Sequence, residues 1–249
     1  MKITKFNAAE VPYGTLARFG LTPEMIEDLP KQVTDDILDG RRSPVLPISI
    51  TDNQGEQVCT RTRFALVRLN DGNVDVLFYP QVKVCPLDNY TPEERKALLA
   101  NRAIIATMTT ADGKKVQAFH QIDVGTNQIL SVPTPVIGRN LELVANEVQL
   151  TNAELTCLQK GMPITIMDGD ALHTVGIDLN EKSGIRIADG DEKRWREEQR
   201  KAFGQYNFGI NGCWVADNDG NLDYVPEESY TEEMWEEMKK RNNTVQIKH

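Results

Sequence analysis

Apolar positions along the chain alternate between a helical period and a period of two. Four stretches open alike, with a large apolar residue and then a threonine: "LTPE" at Leu21, "YTPE" at Tyr90, "LTNAE" at Leu150 and "YTEE" at Tyr230. Each threonine can accept from the unpaired N–H groups of a first helical turn. Pro23 and Pro92 follow at the first helical position, where no hydrogen bond is lost. Glu94 and Glu154 stand three residues after their threonines and complete capping boxes. Ile26, Leu155 and Trp235 sit where a hydrophobic staple would meet the residue before the cap, and Arg95 is the exception.

The pattern then changes to strands. Thr91 leads to "AIIATMTT", "QIDV" at Gln121–Val124 and "ILSV"; Thr151 leads to "PITIM", "GIDL" at Gly176–Leu179 and "IRIA". Asn101 and Gly161 suit left-handed helix ends. Val116, Ala118, His120, Ile122 and Val124 share one strand face by period two. The expected fold class is therefore α+β, with repeated units of one helix followed by a three-stranded antiparallel meander. The N-terminal section is a longer variant, helical from Thr22 toward Leu38, divided at Pro30 and stopped by Gly40, followed by a meander from "PVLPISI". "DEKRWREEQRKAF", Asp191 to Phe203, reads as a helix with Trp195, Ala202 and Phe203 on one side. "GCWVADNDGNLDYV" reads as a hairpin, and Thr231 starts a last helix. A strand is expected near Val245, in a fragment or terminal unit of a longer array. The expected division is 1–86, 87–148, 149–190 and 191–249, the last being a helix, hairpin and helix.

"NDGNVDV" at Asn70 and "DNDGNLDY" at Asp217 raise the question of calcium loops. An EF-hand needs oxygen ligands at its first position and a glutamate at its twelfth. With Gly220 sixth those positions hold Val215 and Pro226; with Gly72 sixth they hold Val67 and Phe78. Asp-Gly favours a two-residue hairpin turn instead, which would pair Leu69 with Val74, Arg68 with Asp75 and Val67 with Val76.

Net charge of −9 disfavours a nucleic-acid surface, and no apolar run reaches membrane-spanning length. The N-terminus lacks an apolar core of signal-peptide length, so a cytoplasmic protein is expected. Cys59, Cys85, Cys157 and Cys213 form no C-x-x-C pair and are expected as reduced, mostly buried thiols. His120 and His173 each lie near an aspartate, Asp123 and Asp178, without a third ligand or a nucleophile. No P-loop, dinucleotide fingerprint or nucleophile elbow is present. No cofactor, metal site or catalytic residue is expected.

"LARFGLTPEMIEDL", "SPVLPISI", "RFALVRLNDGNVDVLFYP" and "QLTNAELTCLQKGMPI…GIDLNEKSGIRI" resemble a pair of domains of unknown function, the DUF four-zero-nine-nine and three-nine-four-five type, in Bacteroidetes proteins associated with conjugative elements. The short N-terminal domain is similar to Tyr13–Pro80 and the repeated helix-and-meander domain to Leu87–Ala188. Ala153 and Cys157 depart from the family, which often carries charge there, and the section after Ala188 matches poorly. The resemblance implies a mobile-element context and carries over no catalytic residue.

The first expectation is a non-enzymatic binding or scaffold module with a protein partner. Its candidate contact residues are Arg42, Arg61 and Arg63 in a chain section that also carries Arg41 and Arg68, with Trp195, Trp214 and Trp235 near the C-terminus. The alternatives are a nucleic-acid accessory factor using the arginine strands, and a metal-dependent enzyme. Replacing Gly72 or Gly220 with alanine is expected to lower stability by about 1–2 kcal/mol, because alanine resists positive φ. Denaturant melts check this, and adding calcium or chelator should leave the midpoint unchanged.

Overall fold

The computed structural model describes residues 5–51, 54–198 and 203–246. It divides into two compact units, one holding the residues up to Gln81 together with those from Arg200, the other Val82–Gln199. No helix among the described residues is long and apolar enough to cross a membrane.

The first unit opens with α1 (Tyr13–Arg18), α2 (Pro23–Glu27) and α3 (Lys31–Leu38). Thr22 caps α2 through Met25 N–H, and Pro30 takes the N-cap position of α3, so the expected helix is divided where proline removes a donor. A meander follows: β1 (Leu46–Thr51), β2 (Gln57–Arg68) and β3 (Val74–Pro80), in that spatial order.

The β2–β3 hairpin differs from expectation by one residue. Leu66 pairs with Val76, Val67 with Asp75 and Arg68 with Val74. Leu69 N–H bonds Asn73 O, and Gly72 N–H bonds Leu69 O at 3.0 Å, making a three-residue loop with only Gly72 at positive φ. A two-residue turn of the expected kind would force Asp71 into the left-handed region as well; the longer loop avoids that cost. The slip moves Phe64, Leu66, Val76 and Phe78 onto the core face. Asp217–Asn221 closes in the same way around Gly220, and Thr110–Lys114 around Gly113.

The second unit repeats one pattern twice. First come α4 (Pro92–Leu99), β4 (Ile104–Thr109), β5 (Lys115–Asp123), β6 (Gln128–Pro133) and α5 (Thr134–Glu147). Then come α6 (Asn152–Gln159), β7 (Ile164–Asp168), β8 (Ala171–Ile177), β9 (Ile185–Asp189) and α7 (Glu192–Glu198). Both capping boxes form, Thr91 with Glu94 and Thr151 with Glu154. Asn101 and Gly161 are left-handed at the two helix exits.

Helix α5 had no counterpart in the expected pattern, and it changes how the sheets are covered. Phe119 and Leu130 face α5's Ile137 and Leu141, in a core shared with Leu158, Val175, Ile177 and Ile185 of the second copy. Leu98 of α4 is buried outside that core. Residues 118–123 of β5 are therefore buried on both faces, with Phe119 opposite the face of Ala118, His120 and Ile122, while Val116 is half-buried and Val124 exposed. In the second copy Trp195 of α7 covers Gly176, where a Cβ would meet the indole at 2.7 Å. Each repeat is thus a meander with a helix before it and a helix after it.

The chain then supplies the first unit with another meander, β10 (Tyr206–Phe208), β11 (Gly212–Ala216) and β12 (Leu222–Pro226), and with α8 (Glu232–Gln246). Leu222 N–H bonds Val45 O at 2.9 Å, and Trp214 and Leu222 sit in one core with Phe6, Leu16 and Phe64. Two expectations fail here. Thr244–Gln246 are helical, so no strand starts at Val245, because α8 continues through it. Trp195 and Phe203 do not share a helix side: Phe203 packs on the first unit's core, Trp195 belongs to the second unit, and Ala202 lies outside the described residues.

Trp214→Ala is expected to cost about 3–5 kcal/mol, as for a buried aromatic truncated to alanine. Hydrogen exchange should show amides of β2 losing protection while those of β5 and β8 keep theirs.

Candidate functional site

The residues expected to meet a partner are held in internal contacts to different degrees. Arg61 Nη2 contacts both carboxylate oxygens of Asp223, at 2.6 and 2.5 Å. Arg63 donates to Ser43 O at 2.9 Å, and Arg42 lies over the Tyr79 ring at 4.1 Å. Trp214 is fully buried, and its indole N–H donates to Met25 O at 2.8 Å. Trp195 is buried, stacks 3.8 Å from the Arg186 guanidinium and donates to Arg186 O. Arg186 in turn holds Asp178 at 3.0 Å. Trp235 is the exposed member, at 37%.

The two histidines do not converge with the aspartates near them in sequence. His173 pairs with Asp189 at 2.9 Å. Asp123 closes its own turn through Gly125 N–H and the Thr126 hydroxyl, and Asp178 does so through Asn180 N–H. His120 is buried, and its Nδ1 lies 2.6 Å from the Tyr90 hydroxyl and 3.3 Å from that of Ser131. Burial pushes the imidazole below its ordinary value, against the opposing pull of the Ala106 carbonyl and Glu94. Among the described residues no three His, Cys, Asp or Glu side chains come close enough to hold a metal ion.

The thiols are unpaired, but not all are buried: Cys213 is buried, Cys85 and Cys157 are half-buried, and Cys59 is exposed. Cys59 lies in the run of exposed residues at the start of β2, before the strand enters the core. Burial raises the Cys213 thiol to about 11, so it stays protonated at neutral pH.

The open geometry lies elsewhere in the first unit, along β10 and α8. Alternation on β10 puts Tyr206 and Phe208 on one face, with ring centroids 6.1 Å apart and stacked. Phe208 meets Tyr230 edge-on at 5.6 Å, and Tyr230 meets Trp235 at 5.2 Å. The second contact is the expected staple across the Thr231 cap, whose hydroxyl accepts from Met234 N–H. Beside this row lie two clefts. The larger, about 430 Å³, is bordered by Tyr206, Phe208, Glu233, Glu237 and Arg241. The smaller, about 290 Å³, is bordered by Leu29, Pro30, Phe208, Ile210 and Arg241.

One buried carboxylate builds the smaller cleft. Asp28, at the end of α2, accepts from Ile210 N–H at 2.7 Å, from Asn211 N–H at 3.0 Å and from the Tyr224 hydroxyl at 2.8 Å. Burial first, and then the bond to Asp28, raise the Tyr224 hydroxyl well above its ordinary value. Burial also lifts Tyr230 to about 12. The loop is pressed so close to Asp28 that a Cβ on Gly209 would collide with the carboxylate. Sequence reasoning missed Asp28 because its partners lie more than 180 residues away. The Tyr230–Trp235 staple was legible, whereas the clefts were not.

Residues 6–89 match the model of a family described as a protein of unknown function (DUF4099). This supports the N-terminal part of the family resemblance. No curated protein and no solved structure matches the chain.

His120 carries a pH dependence. Its folded value is depressed, so above the unfolded value of about 6.5 both states are neutral and its contribution is complete. As pH falls through that value the unfolded chain takes up a proton that the folded chain resists, and stability is lost. Denaturant melts of the second unit between pH 7.5 and 5 should show this loss, and His120→Gln should remove that component of it.

Proposed function

We propose that the chain is a non-enzymatic binding or scaffold module that serves a bacterial conjugative element as an accessory protein in the cytoplasm. The observation that carries this reading is the use made of the ionisable groups. Asp28, Asp123, Asp178, Arg61, Arg186 and His120 each close a contact within a unit. Among the described residues no base is brought to a nucleophile beside an open cleft, the arrangement that acid–base or covalent chemistry needs. The clefts are bordered instead by aromatic rings, carboxylates, Lys31 and Arg241, residues that serve recognition. The conjugative setting rests on the family resemblance of the N-terminal and repeated segments, and the match of residues 6–89 to a family of unknown function is consistent with it.

Affinity capture from a host carrying the element tests this. The full chain is expected to retain one protein in fixed ratio, and a His120→Gln/His173→Gln variant to retain it equally. Absence of any stoichiometric partner, or a turnover that the double variant loses, would overturn the proposal.

A further inference from the structure

Building on the reading of the chain as a binding module, we infer that the clefts beside β10 dock a partner-protein segment that carries a cationic side chain next to an aliphatic anchor. Three observations of this face support that occupant.

The first is a hydrophobic side chain held out to solvent by a buried device. Ile210 is 89% exposed, yet its backbone N–H is bound by Asp28, which is itself only 4% exposed. A lone exposed aliphatic on a loose loop is ordinary. This one is fixed by hydrogen bonds to a single carboxylate from its own N–H, from that of Asn211 and from the Tyr224 hydroxyl. It borders a cleft that Leu29, Pro30 and Phe208 line together with the charged Glu27 and Lys31. Fixing the loop before contact lowers the ordering cost of binding. An apolar side chain of the partner would lie against Ile210 and fill that cleft.

The second is the aromatic row. Its rings run from Tyr206 to Trp235, where the row reaches solvent. Tyrosine, tryptophan and arginine are the residues on which binding energy concentrates in protein interfaces. Exposed ring faces also attract guanidinium and ammonium groups, the more so when desolvated.

The third is charge. Glu233 and Glu237 stand one turn apart on α8 and border the larger cleft opposite Tyr206 and Phe208. From Glu227 to Arg241 the chain carries six glutamates against Lys239, Lys240 and Arg241. Lys240 pairs with Glu237 at 2.6 Å, and Glu233 takes a hydrogen bond from the Tyr206 side chain, which sets its carboxylate beside that ring. Arg241 borders both clefts and makes no ion pair among the described residues, so its donors can meet the partner's backbone carbonyls. Acidic side chains facing aromatic rings complement a cation and repel an acidic segment.

The test is an NMR titration of the isotope-labelled full chain with acetyl-Leu-Arg-Leu-Arg-Leu-amide, and with the same peptide carrying glutamate for arginine. The arginine peptide is expected to shift the amides of 205–211 and the Trp235 indole, and to bind less tightly as salt rises. Glu233→Gln/Glu237→Gln should weaken it at least ten-fold, and so should Ile210→Ser, a change at a solvent-facing position. Shifts elsewhere only, equal binding of the glutamate peptide, or unchanged affinity in the double variant would overturn the inference. Capture from the host separates the two claims. A partner retained while the peptide fails removes this docking face and leaves the binding module standing. A peptide that binds as described while the host yields no partner supports the face and removes the module.

Discussion

A three-stranded meander has two faces and two edges, and it cannot cover both faces by itself. The four sheets among the described residues are all of that kind, each in simple sequential order. The rest of the structure answers the need to cover them. In the second unit each meander takes a helix before it and a helix after it, and the inner faces of both copies share one core. In the first unit the N-terminal meander gains Trp214 and Leu222 from a meander that lies far along the chain.

Joining small sheets in this way brings polar groups into the interior, and three of them show how partners are found there. Gln121 is buried, and its side-chain oxygen accepts from Leu179 N–H at 2.8 Å, tying the first repeat to the turn of the second. Buried Asp178 and half-buried Arg186 form an ion pair that Trp195 covers. Asp28 fixes the loop before β11 and thereby shapes the smaller cleft. Such satisfied polar contacts fix which of several similar meanders packs where, a choice that apolar burial alone leaves open.

Local chemistry made much of the fold legible. The capping boxes at Thr91 and Thr151, the division at Pro30 and the hairpin tips at Gly72 and Gly220 stand where the residues indicated. The β2–β3 register did not follow, because a two-residue and a three-residue loop share the same Asp-Gly signal and differ by one residue in pairing. Helix α5 lacks the threonine cap of α4 and α6, with Pro133 at its N-cap position and no side-chain cap. The strand expected at Val245 rested on analogy with the other repeats, and α8 continues through that position.

The sequence by itself determined most of the elements, though not α5 or the end of α8, since caps, turns and alternation act over a few residues and are written in them. It also showed that tryptophans and arginines were available near particular elements. Tertiary structure alone decided their use. Trp214 enters a core with Phe6 and Phe64, Trp195 covers Gly176, and Arg61 meets Asp223 across 162 positions of chain. Trp235 reaches the surface beside Glu233 and Arg241. The reason is that burial and pairing depend on which faces meet. In a chain of small sheets with the same strand order, that is fixed by long-range contacts such as those of Asp28 and Gln121, which leave no local pattern.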